Sequence, residues 1–524
     1  MRFPCQATQD VAQAASLFER LENRLAACAT SLCVLFILAL VSVGLTANLP
    51  APNVLLITSE DNGPELGCYG DRFARTPHLD RLAAQGMRFE RAFVATASCS
   101  ESRAALLTGL YPHQNGQIGL ATHHYRMFGK LPNIASRLKA HGYRTGLIGK
   151  LHVNPELAFP FDYRPDVSKC NTFAHRDVER VAELAGEFFV AAGTPFFLMV
   201  NYADAHLPFL REQHGSPHSP LSADDVRALP WIGIDNPRIR ESQANYYNCM
   251  MRLDDGVGRL LAALDNADLT KKTLVIYLGD HGAQFPRGKL ASYESSLRVP
   301  LIVRFPGRIP SGKVRKELVS SLDLLPTILE AVGAQARSEL PGRSLLPLMD
   351  QHKGNWREFL FTEYHGHYPP IYFPQRTIRD GRYKLIVNLL QDRANPVAKL
   401  CSQMDRPAHP PYVTASDVAT AEKHVKRAYA TWLDAPPVEL YDLQADPHEW
   451  RNRADDPSLA DVKRRLLAEL HRWQKRTVDP LADRVKLAKL TAEHDAIERS
   501  YRRPKESRWK YTDYLAPQNV KGLP

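Results

Sequence analysis

The sequence has no Cys-X-X-Cys pair, which argues against a structural zinc site. It has no zinc-finger spacing and no dense Lys/Arg tract, so nucleic acid is the weakest of its conceivable anionic partners. No internal repeat is visible, and 29 Gly and 38 Pro are too few for a low-complexity chain. Long hydrophobic runs are almost missing. The one exception is SLCVLFILALVSVGL, from Ser31 to Leu45, shorter than the roughly 20 residues of a membrane-spanning helix. It follows Arg20 and Arg24 and precedes Thr46 and Ala47, the pattern of a secretory signal cleaved near Ala47. The residues ahead of it are long for such a leader, so an uncleaved anchor over residues 31–47 is the alternative. Either way the expectation is export, to a periplasm or the extracellular space.

What is present is ordinary globular material. The 524 residues are 44% apolar and 24% charged, enough to bury a core without disulfides. Lys and Arg number 67 against 57 Asp and Glu, a net charge of +10 that suits a membrane surface or an acidic glycan. Of eight cysteines, Cys5, Cys28 and Cys33 fall in the leader region. The remaining Cys68, Cys99, Cys170, Cys249 and Cys401 are odd in number, so at least one thiol is unpaired or chemically special.

Four apolar runs, within NVLLITSEDNG, RTGLIGK, FFLMVNY and TLVIYLGD, read as buried parallel strands. Helical stretches lie among them, at Thr76 to Phe89, Asp177 to Val190 and Tyr246 to Ala263. That alternation predicts a parallel sheet with helices on both faces, whose ligands sit beyond the strand C-termini. All four runs end in polar groups: Glu60 and Asp61, Lys150 and His152, Asp204 and His206, Asp280 and His281. Leu322 to Val332 reads as a further helix with Pro326 inside it. Past residue 355 come short strands, Arg376 to Ile378, Tyr383 to Val387 and Glu439 to Tyr441, then an amphipathic helix from Ser458 to Lys475.

Glu60, Asp61 and Asp280 offer hard oxygen ligands at strand ends, suited to calcium or magnesium rather than zinc. One acidic pair alone would read as a solvated turn or a helix cap; three acids at equivalent strand ends read as a metal site. The most specific segment runs from Cys99 to Gly109 (CSESRAALLTG), a cysteine followed four residues later by Arg103 and then by an apolar run closing in Thr-Gly. Alone it fits a loop entering a helix with a buried thiol, or a thiol nucleophile of lowered pKa.

This segment resembles the Cys-X-Pro-Ser-Arg motif of the type I sulfatases, in the alkaline phosphatase superfamily. NVLLITSEDNG and ARTPHLDRLAAQGMRFERAF resemble that family's opening strand, metal acids and first helix. IGKLH, ADAHLPF, LGDHG and ELYDLQADPHEWRN resemble further family elements, so the likeness spans residues 52 to 476. Within the family, LTGLYPHQNGQIGL, IGKLHVNPELAFPFDY and RYKLIVNL are most similar to the heparan N-sulfatase branch. The resemblance implies an α/β fold with a mixed, mostly parallel sheet sandwiched by helices, and a smaller C-terminal α+β domain. Composition and patterning along the chain divide it into a leader (1–47), a catalytic domain (48–355), a C-terminal subdomain (356–478) and a polar, ill-packed extension (479–524).

The resemblance further implies that Cys99 becomes formylglycine, whose hydrate attacks sulfur, the sulfate then leaving as the hydrate collapses to the aldehyde. Glu60, Asp61, Asp280 and His281, with the residue at Cys99, would hold a calcium ion. Arg103 would hold the hydrate, and Lys150, His152 and Lys289 would bind sulfate oxygens. His206 would protonate the leaving group, with Asp204 placed to orient it. The implied substrate is a sulfated glycan, foremost the N-sulfate of glucosamine in heparan or heparin. The implied maturation partner is a formylglycine-generating enzyme; monomer and homodimer both stay open. The run EYHGHYPPIYFPQRTI, with His365, His367, Tyr372 and Arg376, reads either as a sugar-facing loop or as a Pro-rich connector. Glu101 stands where the maturation motif usually has Pro or Ala. The competing readings are an O-sulfatase on another polysaccharide, a phosphonate or phosphodiester hydrolase on the same fold, and a catalytically silent glycan-binding relative.

Overall fold

The computed structural model describes residue 20, residues 51–500 and residues 509–517, apart from 192, 194, 336–339 and 351–353. The apolar run from Ser31 to Leu45 and the three cysteines of the leader region lie outside the described residues. Among the described residues no helix is long and apolar enough to cross a membrane.

The strands in chain order are β1 (Asn53–Ser59), β2 (Met87–Phe93), β3 (Arg144–Ile148), β4 (Phe196–Tyr202), β5 (Thr273–Gly279), β6 (Arg298–Arg304) and β7 (Lys313–Ser320). They form one sheet in the order β3-β4-β1-β5-β6-β2-β7. Only β6 runs against its neighbours. The four apolar runs are therefore the four adjacent parallel strands, and all their C-termini meet at one edge. Parallel strands flanked by helices are buried on both faces, and β1 obeys this. Its Leu55 and Ile57 join one core layer while Val54 and Leu56 join the other.

Helices cover both faces, and four of them bear on the expectations. The first, α1 (Pro77–Gln85), is shorter than the sequence spacing suggests, because the chain turns at Gly86 into β2. A Cβ at Gly86 would sit 2.3 Å from the Val303 carbonyl oxygen, so glycine is required by close approach. The second, α2 (Cys99–Thr108), is buried along its whole length and stops at Gly109, left-handed at φ +69. The third, α3 (Pro237–Asn266), begins well before Tyr246. Pro237 takes the first helical position and Asn236 caps it, accepting from the Ile239 N–H at 2.9 Å. Polar residues fill that first stretch, so apolar periodicity could not reveal it. The fourth, α4 (Leu324–Ala331), holds Pro326 in its first turn, where the missing N–H costs no helical bond.

A second, antiparallel sheet follows in the order β11-β10-β9-β8, built from β8 (Leu360–Gly366), β9 (Tyr372–Arg379), β10 (Tyr383–Asn388) and β11 (Val438–Asp442). The long helix α5 (Ala460–Thr477) packs on it through Leu466, Leu470 and Trp473. The expectation of an ill-packed tail is corrected for its described part. Helix α6 (Arg484–Arg499) and residues 509–517 bury Leu490, Trp509, Tyr511 and Leu515 against Tyr125, Tyr372 and Phe373. A buried ion pair fastens the start of this segment, with Arg376 Nε and Nη2 each 2.8 Å from an Asp479 carboxylate oxygen.

Candidate active site

The edge where β3, β4, β1 and β5 end is laced by its own backbone. The Asp280 N–H donates to the Ser59 carbonyl and the Glu60 N–H to the Asp204 carbonyl, both at 3.0 Å. The Asp61 N–H donates to Asp280 Oδ1 at 2.9 Å, and Asp61 adopts a left-handed φ of +52. These bonds fix two carboxylates side by side. Helix α2 starts beneath them and carries Cys99 to the same point. Asp61, Cys99, Asp280 and His281 each offer a ligand atom within 4.8 Å of one another, and all four are buried. The Cys99 Sγ lies 3.3 Å from His281 Nε2 and 3.9 Å from Asp61 Oδ1.

The donor set fits a hard cation. Two carboxylates and one imidazole face a common point, with a spread suited to metal–oxygen bonds of about 2.3–2.6 Å. His281 donates its Nδ1–H to the Gly282 carbonyl at 3.0 Å, so in the neutral ring the Nε2 lone pair faces the cluster. Burial pulls the His281 imidazole down, but Asp280, Cys99 and Asp61 outweigh it and raise it to about 9. The carboxylates beside the ring thus favour a positive charge at that point, whether a proton or a cation.

Basic groups close the other side. Lys289 Nζ sits 2.7 Å from Asp61 Oδ2. Arg103 is 1% exposed; its Nη2 lies 2.9 Å from Asp280 Oδ2 and 2.6 Å from Asn201 Oδ1, and its Nη1 donates to the Lys150 carbonyl. Burial alone would push the Cys99 thiol up, yet Lys289, Lys150 and His281 hold it well below the ordinary thiol range. The position of Sγ is therefore built for an anion, whichever nucleophile atom stands there.

Glu60 and His206 fall in a second group of potential ligands with Asp61. The Glu60 carboxylate is engaged elsewhere as well: Lys150 Nζ reaches it at 2.5 Å, Asn201 Nδ2 at 3.0 Å, and Arg103 at 3.7 Å. Burial raises its pKa, but Lys150 and Arg103 prevail and hold it well below the usual carboxylate range. His152 is held at about 3 by burial and by Lys150, hence neutral, and its buried Nδ1 has no partner among the described residues.

His206 donates its Nδ1–H to the Leu207 carbonyl at 2.6 Å, leaving Nε2 toward Asp61 Oδ2 at 3.9 Å. Asp204 does not orient it. That carboxylate is taken by Arg252, at 2.7 and 2.9 Å, a partner 48 positions away. Phe173 stacks on the His206 ring instead, with centroids 4.2 Å apart. A cavity of about 520 Å³ opens over the site, lined by His206, Lys289, His367, Gln284, Glu241 and His409. Of the histidine-rich run, only His367 lines this cavity. His365 and Arg376 turn into a buried network with Glu363 and Asp479, and Tyr372 stacks on His494. Among the described residues all five cysteines are free of disulfides.

Asn201 and Phe173 were not singled out by sequence reasoning. Asn201 had a signal, being a polar residue in an otherwise apolar buried strand. Phe173 had none.

The sulfatase family model matches residues 52–334, and the model described as N-sulphoglucosamine sulphohydrolase, C-terminal, matches residues 279–397. Human N-sulphoglucosamine sulphohydrolase is 32% identical over 462 residues, covering 80% of this chain and 89% of the human one. An ulvan-active sulfatase of Formosa agariphila is 29% identical over 80% of this chain and 79% of its own. Two solved structures share the fold. One, in complex with its substrate D-glucosamine-2-N,6-O-disulfate, has a TM-score of 0.61 at 19% identity, covering 82% of this chain and 98% of that one. The other, phosphonate monoester hydrolase of Agrobacterium radiobacter, has a TM-score of 0.60 at 21% identity, covering 81% and 96%.

Proposed function

From the premise that this chain belongs to the sulfatase family and hydrolyses sulfate from sulfated glycans, we propose that its substrate is N-sulfated glucosamine of heparan or heparin type. One observation carries the finer reading. The segment matched by the N-sulphoglucosamine sulphohydrolase C-terminal model supplies both Lys289 and His367 to the wall of the cavity.

Conversion of Cys99 to formylglycine supplies a hydrated aldehyde whose oxygen is the nucleophile. Asp61, Asp280 and His281 would hold a calcium ion, which would polarise the sulfate and favour ionisation of that nucleophile. Lys289 and Lys150 bind sulfate oxygens where negative charge develops, already ordered by Asp61 and Glu60. Arg103 offsets the carboxylate charge from below, its guanidinium held by Asp280 and Asn201. His206 has Nδ1 occupied by a carbonyl, so a proton on Nε2 is the one it can deliver to the departing glucosamine nitrogen. Export by residues 1–47 belongs to the same proposal, since heparan-type chains lie outside the cytoplasm.

Mass spectrometry of the Cys99 peptide from the native host, followed by turnover of N-sulfated against O-sulfated glucosamine, tests the reading. The aldehyde mass with N-sulfate preference is expected. Aldehyde with preference for an O-sulfate moves the enzyme to another glycan linkage. An intact thiol in the mature native protein refutes the formylglycine mechanism.

A further inference from the structure

Glu101 lies within the Cys99–Arg103 segment, and the chemistry above gives it no role. It is 1% exposed, and burial pushes its carboxyl up to about 8. Its Oε1 is buried with no hydrogen-bond partner among the described residues. A half-satisfied buried acid destabilises a fold, so its presence asks for a reason.

The geometry around Ser98 gives one. Ser98 is the N-cap of α2 and Glu101 its third residue, the Ser-X-X-Glu spacing of a capping box. No such box forms, and the Ser98 side chain makes no cap bond. Its hydroxyl donates to Glu101 Oε2 at 2.7 Å and lies 2.9 Å from His367 Nδ1. The helix start thus forgoes a cap and clamps a histidine that follows the last residue of β8. The His367 backbone is pinned as well: its carbonyl accepts from Leu120 at 2.8 Å and its N–H donates to the Ile371 carbonyl at 2.9 Å. With Nδ1 engaged, Nε2 is the ring nitrogen left for a ligand, and His367 lines the cavity beside Lys289 and His206.

We propose that Glu101 and Ser98 are positioning residues that lock the His367 imidazole so that its Nε2 contacts the sugar bearing the scissile sulfate. The role rests on the sulfatase reading above. Glu101, Ser98 and His367 form one hydrogen-bonded chain, and loss of any link frees the ring to leave its rotamer.

The test uses the full chain made in a host that converts Cys99, with rates expressed per aldehyde-bearing molecule from the Cys99 peptide mass. Glu101→Ala, Ser98→Ala and His367→Ala each raise KM about tenfold for the sugar sulfate that the wild type turns over best, the value of one good hydrogen bond. The change in kcat is smaller. The Glu101→Ala/His367→Ala double variant is no worse than His367→Ala alone, because the effects share one path. Glu101→Gln keeps an oxygen for the Ser98 hydroxyl and restores most of the affinity. Effects that multiply in the double variant, or an unchanged KM in Glu101→Ala, overturn the role. Should Glu101→Ala fail to fold, Ser98→Ala, which deletes only a hydroxyl, decides the same question. A converted wild type that hydrolyses no sulfated sugar refutes the sulfatase reading instead, a result distinct from a working sulfatase in which Glu101 and His367 act independently.

Discussion

Replacing Lys289 by methionine should move two properties in opposite directions. The ammonium is 2.7 Å from Asp61 Oδ2, and the two side chains are 4% and 0% exposed. At an effective dielectric constant of about 20, that contact represents a gross attraction of about 6 kcal/mol. Lys289 therefore competes with any cation for the same carboxylate. Methionine fills similar space without charge and releases Asp61 to the metal. If relaxation and solvent leave only a fourth of the attraction, about 1.4 kcal/mol, calcium binds about tenfold tighter. Turnover should meanwhile fall about 10²- to 10³-fold, the usual loss for one preorganised donor to developing charge. Calorimetric calcium titration and steady-state kinetics on the same converted protein read both effects. A fall in calcium affinity together with kcat would refute the reasoning, since Lys289 would then be scaffolding for Asp61. Unchanged kcat would remove it from the sulfate.

Three further expectations follow from the same contacts. Asp280→Asn should abolish the calcium-dependent rise in Tm, while Glu60→Gln should preserve most of it and raise KM through Lys150; equal losses would make Glu60 a ligand of the same rank. His206→Gln should cost about 10²–10⁴ in kcat on sugar sulfates and far less on aryl sulfates whose leaving group needs no proton, and a uniform loss would exclude the acid role. Arg376→Met should destabilise by about 3–5 kcal/mol in urea unfolding at pH 7, because it strands the buried Asp479 and Glu363 carboxylates. Burial raises Glu363, but His113 and Arg376 hold it at about 2 against an ordinary 4.5. Its contribution, about 3 kcal/mol, is present above pH 4.5 and lost as the pH falls toward 2, so the variant's deficit should shrink across that window.

The four parallel strands and the polar residues that end them were legible because a strand buried on both faces must be apolar throughout, which is a local property. The topology of such sheets then places Asp61, Lys150, His206 and Asp280 at one edge whatever the loops do. Cys99 and Arg103 were legible as a motif and His281 as a neighbour of Asp280. The partners were not legible. Asp204 stands two residues from His206, yet its carboxylate goes to Arg252. Glu60 sits beside Asp61, yet its carboxylate is held by Lys150, Asn201 and Arg103. The tail after Asp479 is polar in composition, yet a few apolar residues spaced along it fill a groove beside Tyr125. The cavity wall, too, joins His367 to Lys289, from different sheets' connections. Sequence alone determined which strands exist and which charges lie at their ends, because burial acts residue by residue along a strand. Only the tertiary structure decided which charge meets which, because side chains 38 to 228 positions apart are brought together by packing, and electrostatic pairing depends on distance in space rather than along the chain.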